Sequence, residues 1–266
     1  LSIRRQRQMC IRDSIGTEDF ISAYDSPGNN PYMMYGYVKG YPLNSLWGFK
    51  YAGTWKSAEE REKNEITKTY VSASNVDGGA RYYDINHDGV MSREDLIYQG
   101  NADPVIYGGL QNTFYIYGLR LGVYFTYSLG GKIYNYSEIY MAGSQFTNQY
   151  RYMQNAWHPV RNPNSDIPRA GAKSDAALPS DFMIHDASFL RLKNITLSYT
   201  FDLKKKCSWL RDITLSVSGE NLYLWKKYNG FDPDVSSEGT SSTLRRMDLG
   251  AYPKPRTIIF GIQLRY

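Results

Sequence analysis

The chain has no run of 18 or more apolar residues, and that absence excludes a helical membrane span. It does not exclude a barrel, whose strands are only half apolar. Cysteine is nearly absent. Two in 266 residues, Cys10 and Cys207, give neither a disulfide framework nor a thiolate metal cluster. The three histidines, His87, His158 and His185, are dispersed and show neither HExxH nor His-x-His spacing. No P-loop, dinucleotide-binding glycine pattern or Ser-His-Asp arrangement is visible, so no catalytic residue is assigned and an enzyme is not expected. The first 14 residues, LSIRRQRQMCIRDS, lack an apolar h-region and are not expected to be a signal peptide. Gln8 to Ser14 looks like a translated transposase-end adapter, which makes 1–14 an expected non-native segment rather than a genuine basic tail. Without its four arginines and one aspartate the net charge falls from +5 to about +2. Charge then says little about nucleic acid, and no nucleic-acid partner is expected.

What is present in quantity is tyrosine: 25 residues, in a chain that is 15% aromatic. A tyrosine ring is apolar and its hydroxyl seeks water, which suits a membrane interface, though it also suits sugar-binding surfaces. The last ten residues alternate. Ile258, Phe260, Ile262, Leu264 and Tyr266 fall on one side of a strand, Thr257, Gly261, Gln263 and Arg265 on the other, with Ile259 out of place.

Four further segments have barrel-strand length, for which about 9–11 tilted residues cross a bilayer. Ile106–Tyr117 is the weakest, with Leu110, Phe114 and Ile116 sharing a face with Asn112. Leu119, Leu121, Val123, Phe125, Tyr127 and Leu129 alternate cleanly with Arg120, Gly122, Tyr124, Thr126 and Ser128. In Phe189–Phe201 the second half alternates, Ile195, Leu197, Tyr199 and Phe201 against Asn194, Thr196, Ser198 and Thr200. Leu190 and Leu192 sit on the other parity, which predicts a bulge or an inward apolar pair near Lys193. Ile213–Trp225 opens with Ile213, Leu215 and Val217 against Thr214, Ser216 and Ser218, and Glu220 continues the polar parity.

The connections alternate in length: Tyr117-Gly118, then 130–188, then the basic turn 203–212, then 226–255. Short turns on one side and long loops on the other are the habit of transmembrane barrels. A soluble sandwich has no reason to sort its loops this way. The predicted fold is therefore all-β: antiparallel transmembrane β-barrel strands over 104–266, preceded by an extracellular loop region, 15–103. One more strand is expected near Leu46–Trp55, and Ser57–Lys68 looks helical.

That loop region ends in Asp84-Ile-Asn86-His-Asp88-Gly89-Val90, completed by Asp95. Oxygens stand at loop positions 1, 3 and 5, glycine at 6, a backbone carbonyl at 7 and an acid at 12, the arrangement a hard Ca²⁺ ion wants. Aspartate at position 12 resembles dockerin-type loops. The alternative is an Asx-rich turn without metal. Glu220, Asp232, Asp234 and Asp248 could serve glycoside hydrolysis by residue type only, and are read as lumen and loop polar groups. Trp157-His158-Pro159 could stack on a sugar ring but reads as loop packing, and Lys204–Lys206 suit lipid headgroups.

Several segments, in order, resemble the C-terminal part of SusC/RagA-type TonB-dependent outer-membrane transporters. They are Gly40 to Trp55, Tyr83 to Gly89, Ser128-Leu-Gly-Gly131, Ser188 to Tyr199, Ser218-Gly-Glu-Asn-Leu222, Gly230-Phe-Asp-Pro233 and Gly250-Ala-Tyr-Pro253 with Arg256-Thr257. The resemblance implies an incomplete part of a barrel of about 22 strands in the outer membrane of a Bacteroidetes-type Gram-negative bacterium. It implies import of oligosaccharides or peptides, powered by TonB through an N-terminal plug, under a SusD-type lipoprotein lid. A calcium ion held by Asp84, Asn86, Asp88, Val90 and Asp95 would stiffen an extracellular loop near that lid.

On this reading Leu119, Leu121, Val123, Phe125, Ile195, Leu197, Tyr199, Ile258, Phe260, Ile262, Leu264 and Tyr266 face lipid. Arg120, Thr126, Thr196, Ser198, Ser216, Gln263 and Arg265 face the lumen. Tyr266 would be the terminal aromatic read by the barrel-assembly machinery. The chain is expected to be a fragment. Competing readings are a soluble β-rich carbohydrate-binding module with a structural calcium site and a secreted glycoside hydrolase fragment. A soluble module would bury the apolar face beneath a second sheet.

Overall fold

The computed structural model describes residues 20–22, 35–63, 76–141, 148–170, 179–203, 209–237 and 245–266. The adapter-like segment 1–14 and the Lys204–Lys206 turn lie outside them, as does the end of the helical-looking stretch, 64–68. In chain order the strands are β1 (Phe20–Ser22), β2 (Tyr35–Val38), β3 (Ser45–Gly48), β4 (Tyr51–Thr54), β5 (Ala80–Tyr82), β6 (Ile97–Asn101) and β7 (Ile106–Ile116). Then come β8 (Leu119–Leu129), β9 (Lys132–Asn135), β10 (Ile184–Asp186), β11 (Phe189–Asp202), β12 (Asp212–Lys226), β13 (Met247–Asp248) and β14 (Thr257–Arg265). Two compact units result. One holds Pro104–Gly131, Asp186–Asp234 and Tyr252–Tyr266, and the other holds Leu1–Asp103, Lys132–His185 and Val235–Ala251.

The first of these units is a five-stranded antiparallel sheet in the order β14-β12-β11-β8-β7. Its ends, β7 and β14, are not paired with each other, so the sheet is open. Tyr117 and Gly118 join β7 to β8 with φ of 46° and 84°. Positive φ at both central residues is the type I′ geometry whose twist matches the flanking strands. Glycine takes it without cost, whereas tyrosine does so only because eleven paired positions on each side hold it there.

The parity break in β11 resolves as a bulge. Leu192 pairs with Phe125 and Asn194 with Tyr124, so Lys193 is an extra residue against β8. Across the other seam Leu192 faces Tyr223 and Asn194 faces Glu220, and Asn221 takes φ 52° to absorb the additional residue on β12. The extra residues return Leu190 and Leu192 to the face of Ile195 and Leu197. Deleting Lys193 is expected to turn Leu190 and Leu192 onto the polar face. The chain in detergent should then lose β-sheet circular dichroism and melt at a lower temperature; an unchanged melt would mean the bulge does not set the register.

The connection from β8 to β11 is closed where it leaves the sheet. The Ala187 N–H donates to the Gly131 carbonyl (3.1 Å) and the Gly130 N–H to Ser188 Oγ (3.0 Å). The segment between is not one irregular loop. It carries β9, a helical turn Ser137–Met141, a 3₁₀ turn Arg151–Asn155 and β10.

The other unit is built from short pieces: sheets β1-β2-β3-β6, β4-β5 and β10-β9-β13, the last with parallel pairing of β13 on β9. The expected strand near Leu46–Trp55 is two strands, β3 and β4. Within the described part of the helical-looking stretch there is one turn, Ala58–Glu62, capped by Ser57, whose Oγ accepts from the Glu60 N–H while Glu60 Oε2 accepts from the Lys56 N–H. Two apolar clusters hold these pieces. Leu46, Tyr134, Met183 and Met247 come from four distant segments, and Phe49, Ala80, Tyr82 and Met91 gather around the Asp84 loop.

Candidate functional site

Register fixes which side chains share a face of the five-stranded sheet. Phe114, Leu121, Leu197, Val217 and Phe260 form one row across all five strands. The neighbouring rows add Ile116, Leu119, Tyr199, Leu215 and Ile262 on one side and Val123, Ile195 and Ile258 on the other. None of these residues is buried; Phe260 is 79% and Ile262 73% exposed. Aromatic pairs stand toward both strand ends of this face. Tyr223 and Trp225 lie 4.5 Å apart toward the long loops, Tyr199 and Phe201 4.6 Å apart toward the short turns. Tyr266 is one residue beyond β14, and the ladder that ends at Asp212↔Arg265 does not assign it to a face.

Arg120, Thr126, Thr196, Ser198, Ser216, Gln263 and Arg265 share the opposite face. Ile259 is among them, opposite Ser218. The buried residues of these five strands, Ser128, Phe189, Arg191 and Asp212, all belong to this polar side. One face is therefore apolar and uncovered, and the other is polar and covered at its edges.

The Asp84–Asp95 loop wraps its backbone inward. Asp84 Oδ1 accepts from the His87 N–H (2.8 Å) and Oδ2 from the Gly89 N–H (2.9 Å). Asn86 Oδ1 accepts from Asp88 N–H, and Asp88 Oδ1 from Val90 N–H. His87 and Gly89 have φ of 61° and 78°, the left-handed geometry that makes the turn tight. Asp95 closes the loop: fully buried, it accepts from the N–H groups of Ile85 (2.9 Å) and Ser92 (2.8 Å). Met91, at position 8, anchors the loop in the Phe49 cluster.

Desolvation pushes the Asp84 carboxyl up, but N–H donation from Gly89 and His87 outweighs it and holds the group below its ordinary value. The folded loop thus binds fewer protons than the unfolded chain. That stabilisation is complete above the ordinary carboxylate range and fades as pH falls below about 4.

Among the described residues no three His, Cys, Asp or Glu side chains gather within reach of one ion. A loop of this kind draws on amide and backbone oxygens as well, and a carboxylate oxygen that accepts one N–H keeps a second lone pair. The donor set of Asp84, Asn86, Asp88, the Val90 carbonyl and Asp95 fits a hard cation.

The glycosidase candidates are dispersed into other roles. Glu220 stands on the polar face opposite Asn194 and Thr257. Asp232 is ion-paired with Arg191 at 2.6 Å, Asp234 with Lys254, and Asp248 Oδ1 accepts from Gly250 and Ala251. The histidines are equally separate. His158 Nδ1 accepts from the Val160 and Arg161 N–H groups, and His185 Nε2 meets the buried Glu138 at 3.0 Å. Trp157 packs over Gly78, as loop packing predicts. Sequence reasoning missed the Arg191–Asp232 and Glu138–His185 pairs. The available signal for the first was an arginine set between Leu190 and Leu192, just ahead of the break in parity.

A scan against protein-family profiles gives no match. Individual relatives do match. TonB-dependent receptor P26 of Formosa agariphila is 33% identical over 236 residues, covering 86% of this chain. TonB-dependent receptor SusC of Bacteroides thetaiotaomicron is 30% identical over 107 residues, or 40% of this chain. The chain belongs to the SusC/RagA family of TonB-dependent receptors. It spans 23% of the length of P26. The solved RagAB peptide transporter has the same fold over 93% of this chain and 24% of its own, with a TM-score of 0.68 at 23% identity. RagAB in its open-open state gives the same TM-score over 95% of this chain. These relatives are receptors and transporters, not enzymes.

Proposed function

We propose that this SusC/RagA segment is part of the wall of an outer-membrane TonB-dependent importer. Its apolar face meets lipid, its polar face lines the lumen, and 104–266 are the wall strands. The observation that carries the proposal is the uncovered apolar face, whose residues are unburied on every strand. Leaving that much apolar surface in water would forfeit about 25 cal/mol per Å², whereas lipid removes the penalty. A soluble carbohydrate-binding module would cover the same residues with a second sheet. The aromatic pairs near both strand ends suit the two headgroup levels. The cargo is an oligosaccharide or a peptide, the energy comes through TonB and a plug, and a SusD-type lipoprotein closes the mouth.

The test is made in the organism that carries the gene. An affinity-tagged protein is expected in the outer-membrane fraction with a SusD-type lipoprotein co-purifying. Its deletion should abolish growth on one oligosaccharide or peptide source, as should loss of TonB. Recovery in the soluble fraction would sink the proposal.

The Asp84–Asp95 loop is proposed to hold one structural Ca²⁺ on the extracellular side. Asp84, Asn86, Asp88, the Val90 carbonyl and Asp95 would supply its oxygens. Terbium luminescence sensitised by nearby tyrosines should appear on titration, be competed by Ca²⁺ at about 10⁻⁴–10⁻³ M as in extracellular modules, and vanish in Asp84→Ala. Unchanged luminescence in that variant would move the ion elsewhere.

A further inference from the structure

The loop that follows β12 does not run outward from the sheet. It turns back onto the polar face, and the contact that shows this is the buried ion pair. Arg191, 4% exposed, lies on the polar parity of β11 between Phe189 and the Lys193 bulge. Its partner Asp232, 1% exposed, comes from the loop, 41 residues away. To reach Arg191 at 2.6 Å the loop has to lie against that face.

The rest of the segment is fastened to match. Tyr228 is 2% exposed, and Pro233 is fully buried. Lys226 donates to the carbonyls of Gly230 and Phe231, closing the turn between them. Gly230 leaves no room for a Cβ against the Tyr228 ring. Asp232 Oδ1 also accepts the Asp234 N–H (3.0 Å), and Asp234 is ion-paired with Lys254 on the returning arm. Asn221, at the β12 irregularity, donates to the Pro255 carbonyl (3.1 Å) and ties that arm down as well. Among the described residues nothing comparable covers the apolar face.

We propose that Tyr228–Asp234 is a strap folded into the lumen and locked by Arg191–Asp232. It narrows the passage beside the wall, and so limits the bulk of the cargo that passes. The proposal rests on the polar face being the lumen. A buried ion pair suits such a lock: intact it adds little net stability, but losing one member leaves a desolvated charge.

The test uses the complete outer-membrane protein in whole cells, with its cysteines, Cys207 among them, replaced by serine. Asn194→Cys, on the polar face beyond the Lys193 bulge, serves as reporter, and Leu197→Cys, on the apolar face, as control. Cells are treated with a small charged maleimide or a polyethylene-glycol maleimide of about 5 kDa. With the lock intact, the small reagent should label Asn194→Cys and the large one should label it slowly. Adding Asp232→Asn should speed the large reagent by at least about tenfold, since the closed position then leaves the buried guanidinium only the distant carboxylate of Asp234, 4.0 Å away. The small reagent should hardly change.

Lys254→Met, which frees only Asp234, should give a smaller increase. If Asp232→Asn fails to accumulate, Arg191→Met/Asp232→Asn leaves no unpaired charge and carries the same comparison. Equal rates for the large reagent in locked and released proteins would overturn the strap. A different result, Leu197→Cys labelled as fast as Asn194→Cys by the small reagent, would instead overturn the membrane-wall reading.

Discussion

Leu197→Arg is expected to keep the protein out of the outer membrane, while Thr196→Arg, one residue away, should be tolerated. Leu197 stands mid-strand in the row that also contains Phe114, Leu121, Val217 and Phe260. An arginine on the lipid side of a barrel wall costs about 2–4 kcal/mol near the midplane. A folded domain has only about 5–15 kcal/mol in total. Thr196 points the other way, between Gly122 and Ser218, where an arginine head would meet water. The readout is the heat-shifted band of folded barrel protein in outer-membrane fractions. Equal loss of both variants would mean that the two faces are not distinguished by lipid.

The second large effect concerns the loop. Asp95→Ala removes an oxygen of the proposed calcium site and the acceptor for two backbone N–H groups, those of Ile85 and Ser92, at a fully buried position. Each buried donor left unsatisfied costs about 1–3 kcal/mol. The variant is therefore expected to melt at a lower temperature even in EDTA, and to gain nothing from added Ca²⁺. Asp88→Ala is the comparison. Asp88 is exposed and accepts one N–H from Val90 and one from the Asn86 amide, so its loss should remove the calcium response and leave the EDTA melt nearly unchanged. Should EDTA leave the melt of the unaltered protein unmoved, calcium has no structural part in the loop.

The large sheet was legible because period-two alternation survives over 9 to 15 residues. Even its exception could be located: the change of parity after Leu192 announced the Lys193 bulge, and the structure chose it over an inward apolar pair. The Asp84 loop was legible for another reason, since its spacing is local. What could not be read was the material within 130–188. Strands of three or four residues such as β9 and β10 have no period to detect, and β13 finds β9 across 113 positions. They exist because Leu46, Tyr134, Met183 and Met247 pack together. The Arg191–Asp232 pair was hidden likewise. Each residue looks like an ordinary polar position until the loop between them is folded.

The two hydrogen bonds at the base of the β8–β11 connection, Ala187 to Gly131 and Gly130 to Ser188, also bear on how such a protein diversifies. They bring the ends of a 57-residue excursion together at the wall itself. Once the ends are fixed, added length is cheap: each doubling of a flexible loop costs only about 0.6 kcal/mol. Residues spliced between Lys132 and His185 therefore leave the pairing of β8 with β11 undisturbed. Selection can rewrite what faces the environment while the wall stays in register.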